Sequence, residues 1–251
     1  MCLMPETDYR PSRNEYLQQT HWPLNGLMFL APLLLFFHVG LWVSDEGELM
    51  SLLAMNHLSR LLHFFLGATT PYLPAVAVVA VLLLMHVLRK DPWQFRPEVL
   101  LGMTGESVVW MMPLMALVLL VNKMSLPAVA LAATAIDGTV LQKLLLAVGA
   151  GVYEEFIFRL LFVGGAMLLL THVFNLRQLP VALGAVVASG VCFSLYHFTA
   201  DQVLQASFPW FEFVFRALAG VYLGLIYLYR GFGIAVGAHA AWDIYVFLAA
   251  A

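Results

Sequence analysis

Glu154, Glu155 and Arg159 stand in the run Gly-Val-Tyr-Glu-Glu-Phe-Ile-Phe-Arg from Gly151 to Arg159, inside a long apolar stretch. Insertion scales put a single charged residue at the centre of a membrane helix at a cost of about 2.5–3.5 kcal/mol. On a helix, Glu155 and Arg159 are i, i+4 and can pair, which offsets part of that cost. Glu154 points about 100° away from Glu155 and is free to face something else. A buried ion pair accounts for Glu155 with Arg159 but leaves the second acid without a partner, which is expensive in an apolar medium. Glu154 therefore reads as a general base held beside water or another proton-accepting group.

Two further pairs have helical spacing. Phe193 and His197 are i, i+4 in the run Cys192 to Phe198, and His239 and Asp243 are i, i+4 in His-Ala-Ala-Trp-Asp. His38, His86 and His172 read as packing residues, and His21, His57 and His63 as interfacial ones. Zinc-protease chemistry would call for His-Glu-x-x-His on a helix, and none is present. A serine site of the Gly-x-Ser-Gly kind fails at Val187 in Val187-Ala188-Ser189-Gly190, and Gly-x-Gly-Asp is absent.

The elements that must position these residues follow from composition. The 251 residues are 62% hydrophobic and 11% charged, against roughly one quarter charged in soluble domains. The net charge of −3 gives no reason to expect a nucleic-acid partner or an acidic substrate. Cys2 and Cys192 cannot build a disulfide framework, and Cys192 reads as a small buried residue. The polar run from Pro5 to His21 is no cleavable signal, so the whole chain is expected to stay in the membrane.

Apolar runs long enough to span a bilayer are Gly26–Val43, Pro71–Leu88, Leu144–Leu170, Val181–Phe198, Phe213–Tyr229 and Gly233–Ala250. A shorter one, Ser107–Val121, makes a seventh. Leu49–Leu66 carries Asn56, Arg60 and His63 on one face, which suits an interfacial helix or an eighth span with its polar face inward. Turn chemistry punctuates the runs at Asp91-Pro92, Arg96-Pro97, Asp137-Gly138 and Arg230-Gly231. The expected fold is an all-α polytopic transmembrane bundle of about seven spans, or eight. Residues 1–25 form a polar N-terminal segment and 26–251 one helical domain. A cytoplasmic N-terminus would put Arg10, Arg13, Arg89, Lys90, Arg96, Arg177 and Arg230 inside, and Arg60, Lys123, Lys143 and Arg216 outside.

The ordered set Glu154-Glu155-x-x-x-Arg159, Phe193-x-x-x-His197 and His239-x-x-x-Asp243 resembles the motifs of the CPBP family, the CAAX-prenyl-protease and bacteriocin-processing membrane proteins also called ABI-domain proteins. The resemblance covers about 139–251. It implies intramembrane peptide-bond hydrolysis without a cofactor, with a membrane-associated protein or peptide as substrate; separately, a 251-residue chain with few extramembrane segments suits a bacterial inner membrane. Glu154 and His197 would polarise a water, and Glu155 and Phe193 would support the site. Arg159 would hold the glutamates, and His239 with position 243 would stabilise the oxyanion. Many family members have Asn at the last position, whereas Asp243 donates a hydrogen bond only when protonated. Asp243 would then orient His239 by accepting its other N–H.

Two other classes stay open on the residues themselves. Glu154, His197 and His239 could ligate a catalytic zinc, and intramembrane acids and histidines also mark scaffolds or proton-coupled carriers. Straight antiparallel spans put His197 roughly 24 Å from Val181 but His239 roughly 9 Å from Gly233. Their meeting would need tilt, shifted span starts or irregular backbone.

Overall fold

The computed structural model describes residues 13–43, 53–67, 70, 72–123, 139–204 and 208–249. Cys2, Arg10, the Asp137-Gly138 turn and the first residues of the Leu49–Leu66 segment lie outside them. The described elements are helical: α1 Arg13–Gln19, α2 Pro23–Val43, α3 Leu53–Leu66, α4 Leu73–Arg89, α5 Pro97–Lys123, α6 Val140–Val173, α7 Gln178–Tyr196, α8 Ala200–Leu204, α9 Trp210–Arg230 and α10 Phe232–Ala249.

Local chemistry sets their ends. Pro23, Pro74 and Pro97 stand in first turns, where the missing N–H costs nothing. Thr139 and Gln142 close a reciprocal capping box at the start of α6, with bonds of 3.2 and 2.7 Å. Lys90 ends α4 in a left-handed conformation at φ 58°. Gly231, at φ 91°, makes the turn between α9 and α10, where its missing side chain lets the Thr20 carbonyl approach.

Five helices, α2, α5, α6, α7 and α9, are long and apolar enough to cross a bilayer, and α4 and α10 are shorter apolar helices. This is an all-α polytopic bundle and an integral membrane protein. The third span is longer than its apolar run: it begins at Pro97, not Ser107, and so contains Glu106. α3 has 14 residues, roughly 21 Å, with Met55 and Leu58 buried and Arg60 and His63 exposed. Its polar face is turned outward, which favours the interfacial reading.

α6 runs for 34 residues and is not α-helical throughout. Phe156–Gly164 and Leu168–Val173 are π-helical, a rare geometry that often accompanies functional positions. A core of Leu27, Leu30, Leu34, Phe37, Leu145, Tyr153 and Phe156 joins α2 to α6. Trp42, Val76, Leu84, Leu101, Leu179 and Leu218 face outward, as lipid permits. Cys192, expected to be buried, is exposed on α7; its position faces away from the helices packed on the opposite side. His172, expected in packing, is likewise exposed near the end of α6.

Glycines let the site-bearing helices touch. Gly151 of α6 lies against Ala240 of α10, and Gly190 of α7 against Gly220 of α9. At one end of the bundle the His21 ring meets the Tyr229 carbonyl at 3.1 Å, and Arg89 donates to the His21 carbonyl at 3.2 Å. The N-terminal helix, Arg89 and Arg230 are therefore gathered at the same end.

Candidate active site

α6 contributes Glu154, Glu155 and Arg159, all buried, the last two completely. Arg159 Nε lies 3.1 Å from Glu155 Oε2, and Arg159 Nη2 donates to the Gly220 carbonyl at 2.9 Å. Its guanidinium also lies over the Phe193 ring, 4.8 Å from the centroid. Three kinds of contact from three helices thus hold one cation, the arrangement a planar guanidinium supports and an ammonium does not.

Phe193 is the hub of the site. Its ring centroid lies 4.9 Å from that of His197, 5.8 Å from His239 and 5.4 Å from Phe158. His197 closes the C-terminal end of α7, and its Nδ1 donates to the Phe193 carbonyl at 2.8 Å. That bond folds the ring back over the preceding turn. In the neutral ring it also leaves Nε2 as an acceptor.

Two histidines reach Glu154. Its Oε2 lies 3.8 Å from His197 Nε2 and 3.8 Å from His239 Nε2. His239, from α10, has Nδ1 2.8 Å from Glu155 Oε1 and Nε2 3.5 Å from Asp243 Oδ2. The short hydrogen bond of His239 is therefore donated from Nδ1 to Glu155, not to Asp243. Glu154, Glu155 and His239 are buried while His197 is exposed, so the cluster opens on the His197 side.

The two histidines meet at Glu154 although α7 starts at Gln178 and α10 at Phe232; α10 lies against α6 at Gly151 and Ala240, about one turn from Glu154. Among the described residues, no three His, Cys, Asp or Glu side chains are grouped to hold a metal ion.

Three participants carry no signal in the sequence pattern. The Gly220 carbonyl is backbone. Tyr196 is masked by its neighbour His197; its ring centroid lies 5.4 Å from Phe158 and 5.6 Å from His197. Arg216 stands 5.2 Å from the ring centroid of Phe198, the residue after His197, and 3.4 Å from Glu212. Ser189, the serine of the failed Gly-x-Ser-Gly match, is structural: it is buried and donates to the Phe158 carbonyl at 2.8 Å.

Comparison with known proteins gives one family match. Residues 136–245 match the family model described as type II CAAX prenyl endopeptidase Rce1-like. No curated protein and no solved structure matches the chain. The matched segment contains Glu154, Glu155, Arg159, Phe193, His197, His239 and Asp243 together with the glycine contacts that bring them close. Residues 136–245 of this multi-pass helical membrane protein are thus similar to the CAAX-protease family described by that model.

Proposed function

We propose that this protein is an intramembrane peptidase in which Glu154 activates a water molecule for attack on a peptide carbonyl. The observation that supports it is the approach of His197 Nε2 and His239 Nε2 to one oxygen of Glu154, each at 3.8 Å. That spacing exceeds a direct hydrogen bond and suits groups that share a water. Glu154 takes the proton as the water oxygen bonds to the carbonyl carbon, and the neutral Nε2 of His197 orients the water. The carbonyl π electrons move to oxygen. Collapse of the tetrahedral intermediate breaks the C–N bond, and the proton held by Glu154 passes to the leaving amine. The products are a carboxylic acid and an amine, with no co-reactant but water.

His239 stands beside the developing oxyanion. With Nδ1 bonded to Glu155, it donates from Nε2 when protonated, and Asp243 at 3.5 Å balances that charge. Arg159 fixes Glu155 and, through the Phe193 ring, the spacing of the two histidines. The substrate is a membrane-associated peptide or protein, with a prenylated C-terminal peptide the candidate that the family description supplies.

The test is hydrolysis of a quenched-fluorescence prenylated peptide by purified protein in liposomes. Wild-type protein is expected to release the C-terminal fragment, and Glu154→Gln to lose at least about 1,000-fold in rate while unfolding at an unchanged temperature. Equal rates in the two proteins, or no hydrolysis by either, would sink the reading.

A further inference from the structure

The departure of this chain at position 243 leaves its oxyanion site short of a donor. A carboxylate at Asp243 only accepts hydrogen bonds, and His239 Nε2 lies between two acceptors, Asp243 Oδ2 at 3.5 Å and Glu154 Oε2 at 3.8 Å. Donors to an oxyanion are worth most when preset in a site that excludes water. The cluster should therefore hold another donor whose hydrogen is not already engaged.

Tyr196 supplies one. Its hydroxyl oxygen is buried and has no hydrogen-bond partner among the described residues. Such a group is costly in a native structure and calls for an explanation. The ring is fixed on three sides, by Phe158 at 5.4 Å, His197 at 5.6 Å and His57 of α3 at 5.4 Å. Phe158 stands four residues beyond Glu154 on α6, and His197 Nε2 lies 3.8 Å from Glu154 Oε2, so one of the three neighbours reaches the reacting carboxylate and another is one helical turn from it.

Packing alone does not account for a tyrosine here. Phenylalanine would make the same ring contacts without burying an unmatched O–H. The neighbouring buried tyrosine, Tyr153, shows the usual solution, with its hydroxyl 2.9 Å from His38 Nε2.

We infer that the Tyr196 hydroxyl is a catalytic hydrogen-bond donor to the tetrahedral oxyanion, providing what an amide at position 243 would otherwise provide. The inference rests on the peptidase reading above. In the step it serves, the water oxygen bonds to the carbonyl carbon and the carbonyl oxygen takes the negative charge. The Tyr196 O–H donates to that oxygen without transferring its proton, and the bond is released when the C–N bond breaks.

The experiment uses full-length protein in liposomes with the quenched-fluorescence prenylated peptide, comparing wild type, Tyr196→Phe, Asp243→Asn and the double variant. Tyr196→Phe keeps every ring contact, so its unfolding temperature should match wild type. Its kcat is expected to fall about 100-fold with KM unchanged. In the Asp243→Asn background, where the amide donates, the same change should cost less than about tenfold. A kcat within twofold of wild type, a loss confined to KM, or the same loss in both backgrounds would overturn the assignment. Glu154→Gln serves as the control that separates the two proposals. If it is inactive while Tyr196→Phe is fully active, the Tyr196 role alone fails. If it is as active as wild type, the peptidase reading fails first.

Discussion

His239 Nδ1 lies 2.8 Å from one oxygen of Glu155, and the other oxygen of that carboxylate lies 3.1 Å from Arg159 Nε. Glu155 thus joins a histidine of α10 to a cation of its own helix, and that cation reaches α9 through the Gly220 carbonyl. One fully buried carboxylate holds three helices in register around the neighbouring acid. Glu155→Gln keeps the volume but leaves Arg159 without its counter-charge. Removing one partner of a buried ion pair costs about 3–5 kcal/mol. The expected result is a large fall in unfolding temperature in detergent, together with loss of hydrolysis per folded molecule. A variant as stable as wild type would show that this carboxylate carries no such load.

The sequence displays the charged members of the site because charge inside an apolar run needs a reason. Glu154, Glu155 and Arg159 stand out on that ground alone, and His197 and His239 gain weight from their company. What it hides is different in kind. The Gly220 carbonyl belongs to every residue type, and the Gly190–Gly220 contact is a property of two helices together. Glu106 lies one residue before the apolar run that begins at Ser107; the helix starts at Pro97, which places Glu106 inside α5 as an acid that requires a partner. The bond that His239 donates to Glu155 is hidden by the i, i+4 spacing of His239 and Asp243, which makes Asp243 the expected partner. Helical spacing fixes a shared face, but not which acceptor a ring nitrogen meets.

Arg159→Lys keeps the charge and loses the geometry. A lysine ammonium could still approach Glu155, but it cannot also donate to the Gly220 carbonyl and keep a cation over the Phe193 ring. The Phe193 ring would lose its stacked cation beside both histidines. The expected outcome is a kcat about 10- to 100-fold below wild type, with less loss of stability than in Glu155→Gln. Full activity in Arg159→Lys would mean that charge alone suffices there.

The close approach of α7 and α9 gives a prediction away from the charged residues. A Cβ at Gly190 would meet the Ala217 carbonyl oxygen and the Val221 nitrogen, each at 2.8 Å. Both are backbone atoms and cannot swing aside, so the helices must separate. Since α7 carries Phe193 and His197, Gly190→Val should reduce activity at least tenfold and lower the unfolding temperature. Gly184, which has open space around it, is the control, and Gly184→Ala should leave both quantities near wild type.

Chelation distinguishes a glutamate-activated water from a metal-bound one. Glu154 chemistry of the kind proposed needs no ion, so hydrolysis should be unchanged after dialysis against a strong chelator. Activity lost on dialysis and restored by zinc would instead assign Glu154, His197 and His239 as ligands.

A second, partly buried cluster separates stability from chemistry. Glu106 on α5 receives Arg230 of α9 through both carboxylate oxygens, one of them 2.7 Å from Nη2. It also accepts from Tyr16 of α1 at 2.8 Å and from Trp110 at 2.9 Å. The Arg230 guanidinium lies 5.7 Å from the Tyr16 ring centroid, so the cluster ties the N-terminal helix to two spans. All of its contacts are satisfied, as expected of a structural network. Arg230 is ten residues beyond Gly220 on α9, roughly 15 Å along the axis from the contact with Arg159. Glu106→Gln should therefore cost about 2–3 kcal/mol, in keeping with the loss of charge-assisted bonds in a partly buried setting. It should also release α1, seen as faster proteolysis near Tyr16. The kcat of the protein that remains folded should stay within twofold of wild type. A drop in kcat as large as that of Glu155→Gln would show instead that this end of the bundle is coupled to the Glu154 site.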